Sequence, residues 1–189
     1  MDPYVYPGTS VLRNLRDIRD ADLLSEFEAD MTSMRLRQLA HSGLPGAFDA
    51  AHLRAIHRYI FQDLFDWAGE FRTVNISRAP QMPFAFYEQI VPCLSGLFSK
   101  LAKEQPLSPF GARTAYYLGE LNAIHPFREG NGRTQREFIR QLALRHGYAM
   151  DWSRVTRDEM IDASRLSFQR GDNSGLERLL AAAAIPLAP

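Results

Sequence analysis

Apolar positions recur at helical spacing along most of the chain, with one short stretch that alternates instead. An irregular arm spans 1–19, with Pro3 and Pro7. From Asp20 to about His41, Leu23, Leu24, Phe27, Met31 and Met34 mark a helix, which "SGLPGAF" breaks. Asp49 is the expected N-cap of the next helix, whose stripe is Leu53, Ile56, Ile60, Leu64 and Trp67 and which Gly69 ends. Residues 71–77 alternate like a strand: Phe71, Thr73 and Asn75 on one side, Arg72, Val74 and Ile76 on the other. "RAPQMP" turns the chain and "FAFY" returns as a second strand, so 71–87 reads as a hairpin. Helices follow at about 87–104, 109–123, 132–146, 156–170 and 173–184; Pro109 is placed at the first position of its helix, and Phe138, Ile139, Leu142 and Leu144 are set for the core. The class is all-α with one hairpin, in a single domain over 1–189.

Composition narrows the functions open to such a bundle. The chain is 46% hydrophobic, enough for a core, and its 22 basic residues balance 22 acidic ones, so the basic excess of a nucleic-acid binder is missing. Cys93 is the one cysteine, which excludes an internal disulfide and suits a reducing compartment. The N-terminus lacks an apolar signal core, and "LLAAAAIPLAP" is too short and too proline-rich to span a bilayer. A cytoplasmic protein is expected, with no nucleic acid or membrane as partner.

The densest chemistry lies in "HPFREGNGRTQR", His125 to Arg136. Pro126 forces a break after one helix, Gly130-Asn131-Gly132 relaxes the backbone, and a new helix resumes. A glycine-flanked loop feeding a helix N-terminus points free N–H groups at one spot, which suits an anion, phosphate above all. Arg133 and Arg136, three apart, add guanidinium forks beside it. Taken singly, His125 could be a helix cap, Phe127 a core anchor, Glu129 a solvated partner of Arg133, and the arginines surface residues. Together they favour a polyphosphate site, with Glu129 as a Mg²⁺ ligand. Zinc fits poorly, because no cysteine or second histidine is near, and no Walker phosphate loop occurs.

His125, Phe127, Glu129, Gly130, Asn131, Gly132, Arg133 and Arg136 match without a gap the motif His-x-Phe-x-(Asp/Glu)-Gly-Asn-Gly-Arg-x-x-Arg, and the chain resembles the Fic family. "DPYVYPGTSVLRN", "FDWAGEFRTVNIS" and "YYLGELNAIHPFREGNGRTQREFIRQLA" extend the likeness over roughly residues 2–170, to bacterial Fic toxins and related type IV secretion effectors. The resemblance implies a helical core of about seven to eight helices with a β-hairpin flap, and transfer of AMP from ATP to a Tyr, Ser or Thr hydroxyl of a target protein. It makes His125 the general base, Phe127 a structural anchor and Glu129 the Mg²⁺ ligand. Gly130, Asn131 and Gly132 would bind phosphates, Arg133 the β-phosphate and Arg136 the γ-phosphate. Phe84 and Phe86 on the flap would register the target, with ordinary packing as their alternative.

The resemblance also implies control. Many Fic proteins are inhibited by a helix bearing Ser/Thr-x-x-x-Glu-Gly/Asn, whose glutamate takes the second motif arginine, here Arg136. No Ser or Thr of this chain has Glu four residues on; Asn173 precedes Glu177 by four, but Arg178 follows. A small antitoxin-like protein supplying that glutamate in trans is therefore expected, with DNA gyrase or topoisomerase IV as the protein substrate of a toxin of this build. A host-directed secreted effector and a catalytically silent nucleotide-binding module remain alternatives.

Overall fold

A computed structural model describes every residue except Met1, Pro80, Gln81, Gln105 and Pro189. Seven α-helices run in chain order: α1 Ala21–Ser42, α2 Ala50–Phe61, α3 Ile90–Lys103, α4 Phe110–Ile124, α5 Asn131–Arg145, α6 Arg157–Arg170 and α7 Ser174–Ala183. Helix α4 packs against α3, α5, α6 and α7, and α5 also packs against α2. The loop between α4 and α5 therefore sits where most of the bundle converges. No helix among the described residues is long and apolar enough to cross a membrane.

Local chemistry starts the helices as expected. Asp20 accepts from Leu23 N–H (2.9 Å) and Asp49 from His52 N–H (2.8 Å), each satisfying a donor the first turn leaves free. Pro109 falls one place earlier than expected, preceding α4 as its cap. Leu23 and Leu144, expected on the apolar side, are exposed, because Leu24 and Leu142 fill the buried side of their helices. Helix α2 stops at Phe61, well short of Gly69, and Leu64, Phe65 and Ala68 are buried from successive turns instead. Gly69 has φ +87° and donates its N–H to His57 Nδ1 (2.8 Å). A Cβ there would meet Arg58 Cβ at 2.9 Å, so the chain passes against α2 where only glycine fits.

The hairpin exists but is displaced. Its strands are β1 Ser77–Ala79 and β2 Met82–Pro83, antiparallel, and the expected turn at Pro80-Gln81 lies outside the described residues. Residues 71–76 form no strand because their donors go elsewhere: Arg72 N–H to Pro126 O (2.9 Å) and Thr73 N–H to Tyr4 Oη (3.1 Å). "FAFY" pairs only at its start, where Phe84 N–H reaches Ile76 O (3.2 Å) and Ala85 N–H reaches Ala123 O (3.2 Å). A second sheet goes beyond what local patterning predicts: β3 Tyr148–Met150 pairs antiparallel with β4 Ala184–Pro186. The arm is laid on the body, with Tyr4, Tyr6 and Val11 buried and Asp2 paired to Arg128 (2.8 Å).

Candidate active site

His125 is built into the end of α4. Its backbone is left-handed (φ 48°, ψ 62°), which aims the side chain away from the helix axis. The ring's Nδ1 lies 3.2 Å from Asn122 O, an acceptor, so Nδ1 carries the proton and the Nε2 lone pair is left free. Burial pushes the imidazole down to about 4; the charges of Arg72 and Arg78 act the same way, and the Asn122 carbonyl opposes them. The base is thus neutral at physiological pH. One face of the ring stacks on Phe84, centroids 3.9 Å apart and planes within 12°.

The loop is braced from inside. Asn131 is buried, accepts from Phe127 N–H (2.9 Å) and donates to Phe127 O (2.8 Å). Its side chain is therefore used within the loop, and what it offers a phosphate is its backbone N–H. Phe127 is fully buried against the His57 ring, centroids 3.9 Å apart. His57 contacts Glu129 O through Nε2 (3.1 Å) while Nδ1 accepts from Gly69. Burial pushes His57 to about 4 as well, so it serves as a neutral strut.

Gly130 caps α5 at φ +79°, and no side-chain hydrogen bond caps the helix. The first intrahelical acceptor of this turn takes Thr134 N–H (3.1 Å), so the N–H groups of residues 131–133 have no partner within the helix. Glu129 Oε1 accepts from Gly130 N–H (2.8 Å) and is 3.6 Å from Arg133. Gly132 has ordinary helical φ, and its lack of a side chain instead makes room for Arg136, whose Nη1 would lie 3.3 Å from a Cβ there.

The two motif arginines part company. Arg133 turns to α1, where it pairs with Glu28, donates to Thr32 Oγ1 (3.2 Å) and lies over the Phe61 ring. Arg136 has no carboxylate partner among the described residues. Burial, and then the charge of Arg133, lower its pKa, but a guanidinium stays charged. His125, Arg136, Gly132, Phe84 and the flap's Arg78 line one cavity of about 340 Å³. Arg133 faces a separate groove of about 550 Å³ between α1 and α5, which Arg136 also reaches. Phe86 is 57% exposed, whereas Phe84 is only 9% exposed and faces the base.

Four further contributors lie outside the motif. Arg72 carries one sequence signal, a charge on the apolar side of an alternating stretch; Glu28, His57 and Arg78 carry none beyond their charge or ring. No group of three or more His, Cys, Asp or Glu residues suited to holding a metal occurs among the described residues.

Residues 47–143 match the family model described as Fic/DOC family. The chain is 44% identical over 172 residues to the protein adenylyltransferase VbhT of Bartonella schoenbuchensis, covering 88% of this chain and 36% of that protein, so it spans about a third of that relative's length. It is 35% identical over 187 residues to the "Probable protein adenylyltransferase Fic" of Escherichia coli K12, covering 94% and 90% of the two chains. Among solved structures it superimposes with a TM-score of 0.90 and 31% identity on the N-terminal Fic domain of a VirB-translocated Bep effector of Bartonella quintana with bound ADP, covering 97% and 95%. The BepC protein of Bartonella tribocorum with bound AMPPNP gives a TM-score of 0.89 at 29% identity, covering 98% and 97%. An all-helical bundle with a displaced hairpin, built around an unbroken eight-position motif and matched in sequence and in shape, places this chain in the Fic/DOC family.

Proposed function

We propose that the chain transfers AMP from ATP to the hydroxyl of a Tyr, Ser or Thr side chain on a target protein. The observation that carries this is the shared cavity, in which a neutral imidazole with a free Nε2 and an unpaired guanidinium face the open N-terminus of α5. In this reading Nε2 takes the hydroxyl proton, the oxygen forms a bond to the α-phosphorus, and the bond from that phosphorus to the β-bridging oxygen breaks. Pyrophosphate leaves. The N–H groups of residues 131–133 meet charge that grows on the phosphates. Arg136 holds the γ-phosphate end, and Arg133 the β-phosphate side from its seat against Glu28.

Mg²⁺ fits Glu129. One carboxylate, 42% exposed beside the phosphate site, is the donor set of an ion that keeps several waters and takes its other ligands from phosphates. When bound, that ion neutralises phosphate charge. Glu129 would hold it while its Oε1 stays on Gly130 N–H.

ATP labelled at the α-phosphate should mark a discrete band in a bacterial lysate, and ATP labelled at the γ-phosphate should mark none. Transfer of the γ-label would make the chain a kinase, and no labelled band with either would favour the silent module. DNA gyrase and topoisomerase IV are the first bands to identify. A domain of a longer secreted effector is a second reading, favoured by the likeness to Bep effectors. It predicts the band in a eukaryotic lysate instead.

The groove between α1 and α5 supports control by a separate antitoxin-like protein. It presents Arg133 and Arg136 at one end, and Glu28, the chain's own carboxylate there, is spent on Arg133. A partner helix lying in this groove would bring a glutamate to Arg136 and compete with the γ-phosphate through a bidentate pair. Replacing that partner glutamate by glycine should restore transfer while the complex stays assembled. An isolated chain that is inactive with ATP and Mg²⁺ but is activated by Glu28→Ala would overturn this.

A further inference from the structure

A helix end leaves its last carbonyls without donors from its own turns. At the end of α4 every one has been supplied. Leu121 O takes His125 N–H (3.0 Å) and the Gln135 amide (3.0 Å), Asn122 O faces the His125 ring, and Ala123 O takes Ala85 N–H (3.2 Å). The next three depend on Arg72. Its Nη2 reaches Ile124 O (3.2 Å), its Nε reaches His125 O (2.8 Å), and its backbone N–H reaches Pro126 O (2.9 Å). The same guanidinium donates to Val74 O (2.8 Å) and Ala85 O (2.5 Å), on the two sides of the hairpin's base.

Arg72 is 2% exposed and has no carboxylate partner among the described residues. A buried charge without a counter-ion is costly. Here it is met by four carbonyl dipoles, two of them at the C-terminal end of a helix, where a cation is favoured. The planar fork suits this task, because its donors leave in fixed directions toward separate acceptors.

The consequence falls on the base. His125 holds a left-handed backbone that a residue with a Cβ rarely adopts, and its own carbonyl and those on either side of it are held by Arg72. Ala85, held by the same guanidinium, follows Phe84, which stacks on the imidazole. The backbone under the ring and the aromatic face over it are thus fixed by one side chain.

We propose that Arg72 is the positioning residue of His125, setting the imidazole relative to the hairpin and so to the hydroxyl it deprotonates. This rests on the reading of His125 as the base. Arg72 lines neither the cavity nor the groove, so nucleotide contacts are left to the loop.

The test uses Arg72→Met and Arg72→Lys in the full chain, with AMP transfer from α-labelled ATP to lysate protein and ATP binding both measured per folded molecule. Arg72→Met should lower the apparent kcat about 10²-fold, the scale of a misplaced catalytic group, with KM for ATP held within about twofold. Arg72→Lys keeps the charge but not the fork, and should recover roughly tenfold of that loss. Adding His125→Ala distinguishes the two readings. If Arg72 acts through His125, the double variant Arg72→Met, His125→Ala is no slower than His125→Ala alone. A double variant slower by the full Arg72 factor overturns the proposal and leaves the base reading intact. If His125→Ala alone matches the unaltered protein, the base reading fails. A rise in KM at unchanged kcat, or a kcat per folded molecule unchanged in both single variants, also overturns the proposal.

Discussion

His125→Ala should lower AMP transfer by about 10²–10⁴-fold, the range for losing a positioned general base, and leave ATP affinity within about threefold. The imidazole's Nε2 has no other employment, while the groups set for phosphate lie on α5 and the loop. Alanine removes the proton acceptor and also uncovers Phe84, which loses the ring it stacks on. His125→Gln is therefore the companion variant: it refills the space beneath Phe84 with an amide that cannot act as a base at neutral pH. Both should be equally slow. Parallel loss of ATP binding and transfer in both variants would show that the histidine holds nucleotide and would remove it from the proton step.

The glycines of the motif should separate under the same treatment. Gly130→Val should abolish transfer and destabilise the fold by on the order of 3 kcal/mol or more, from overpacking and a strained backbone together. Its φ is +79°, and a Cβ would stand 2.1 Å from Phe61 Cζ, inside a buried ring. Gly132→Val should keep the fold, since its φ is ordinary and the atom it meets is the mobile end of Arg136 at 3.3 Å. Transfer should still collapse, because a branched side chain displaces that guanidinium and blocks phosphate from the helix N-terminus. Circular-dichroism melts and the transfer assay read the two effects apart. A Gly132→Val protein with full activity would mean that phosphate does not approach α5 there.

That contrast shows what the sequence could and could not disclose. The loop from His125 to Arg136 was legible because it is continuous: its break, its glycines and its new helix lie within twelve residues. The caps Asp20 and Asp49 were legible for the same reason, since each acts three residues away. Gly130 and Gly132 read alike in the motif, and only Phe61, from another helix, makes them different. Arg72 reads as one position of a strand because alternation reports a face, not the distant carbonyls that draw its donors away. Phe84 reads as part of a flap surface, and its ring position over His125 depends on how the hairpin folds back. Pairing of β3 with β4 links segments too short and too far apart for any local pattern.

The seat of Arg133 has a bearing on where this unit can be cut. Glu28 and Thr32, which hold that arginine, lie on α1, upstream of the stretch 47–143 that defines the family match. A fragment trimmed to the match keeps all eight motif positions yet releases Arg133 into solvent, free to sample many rotamers and to pair with Glu129 alone. Grafting the twelve-residue loop onto another helical hairpin meets the same difficulty. The motif is portable as a string of letters, but the smallest transplantable piece begins before Glu28.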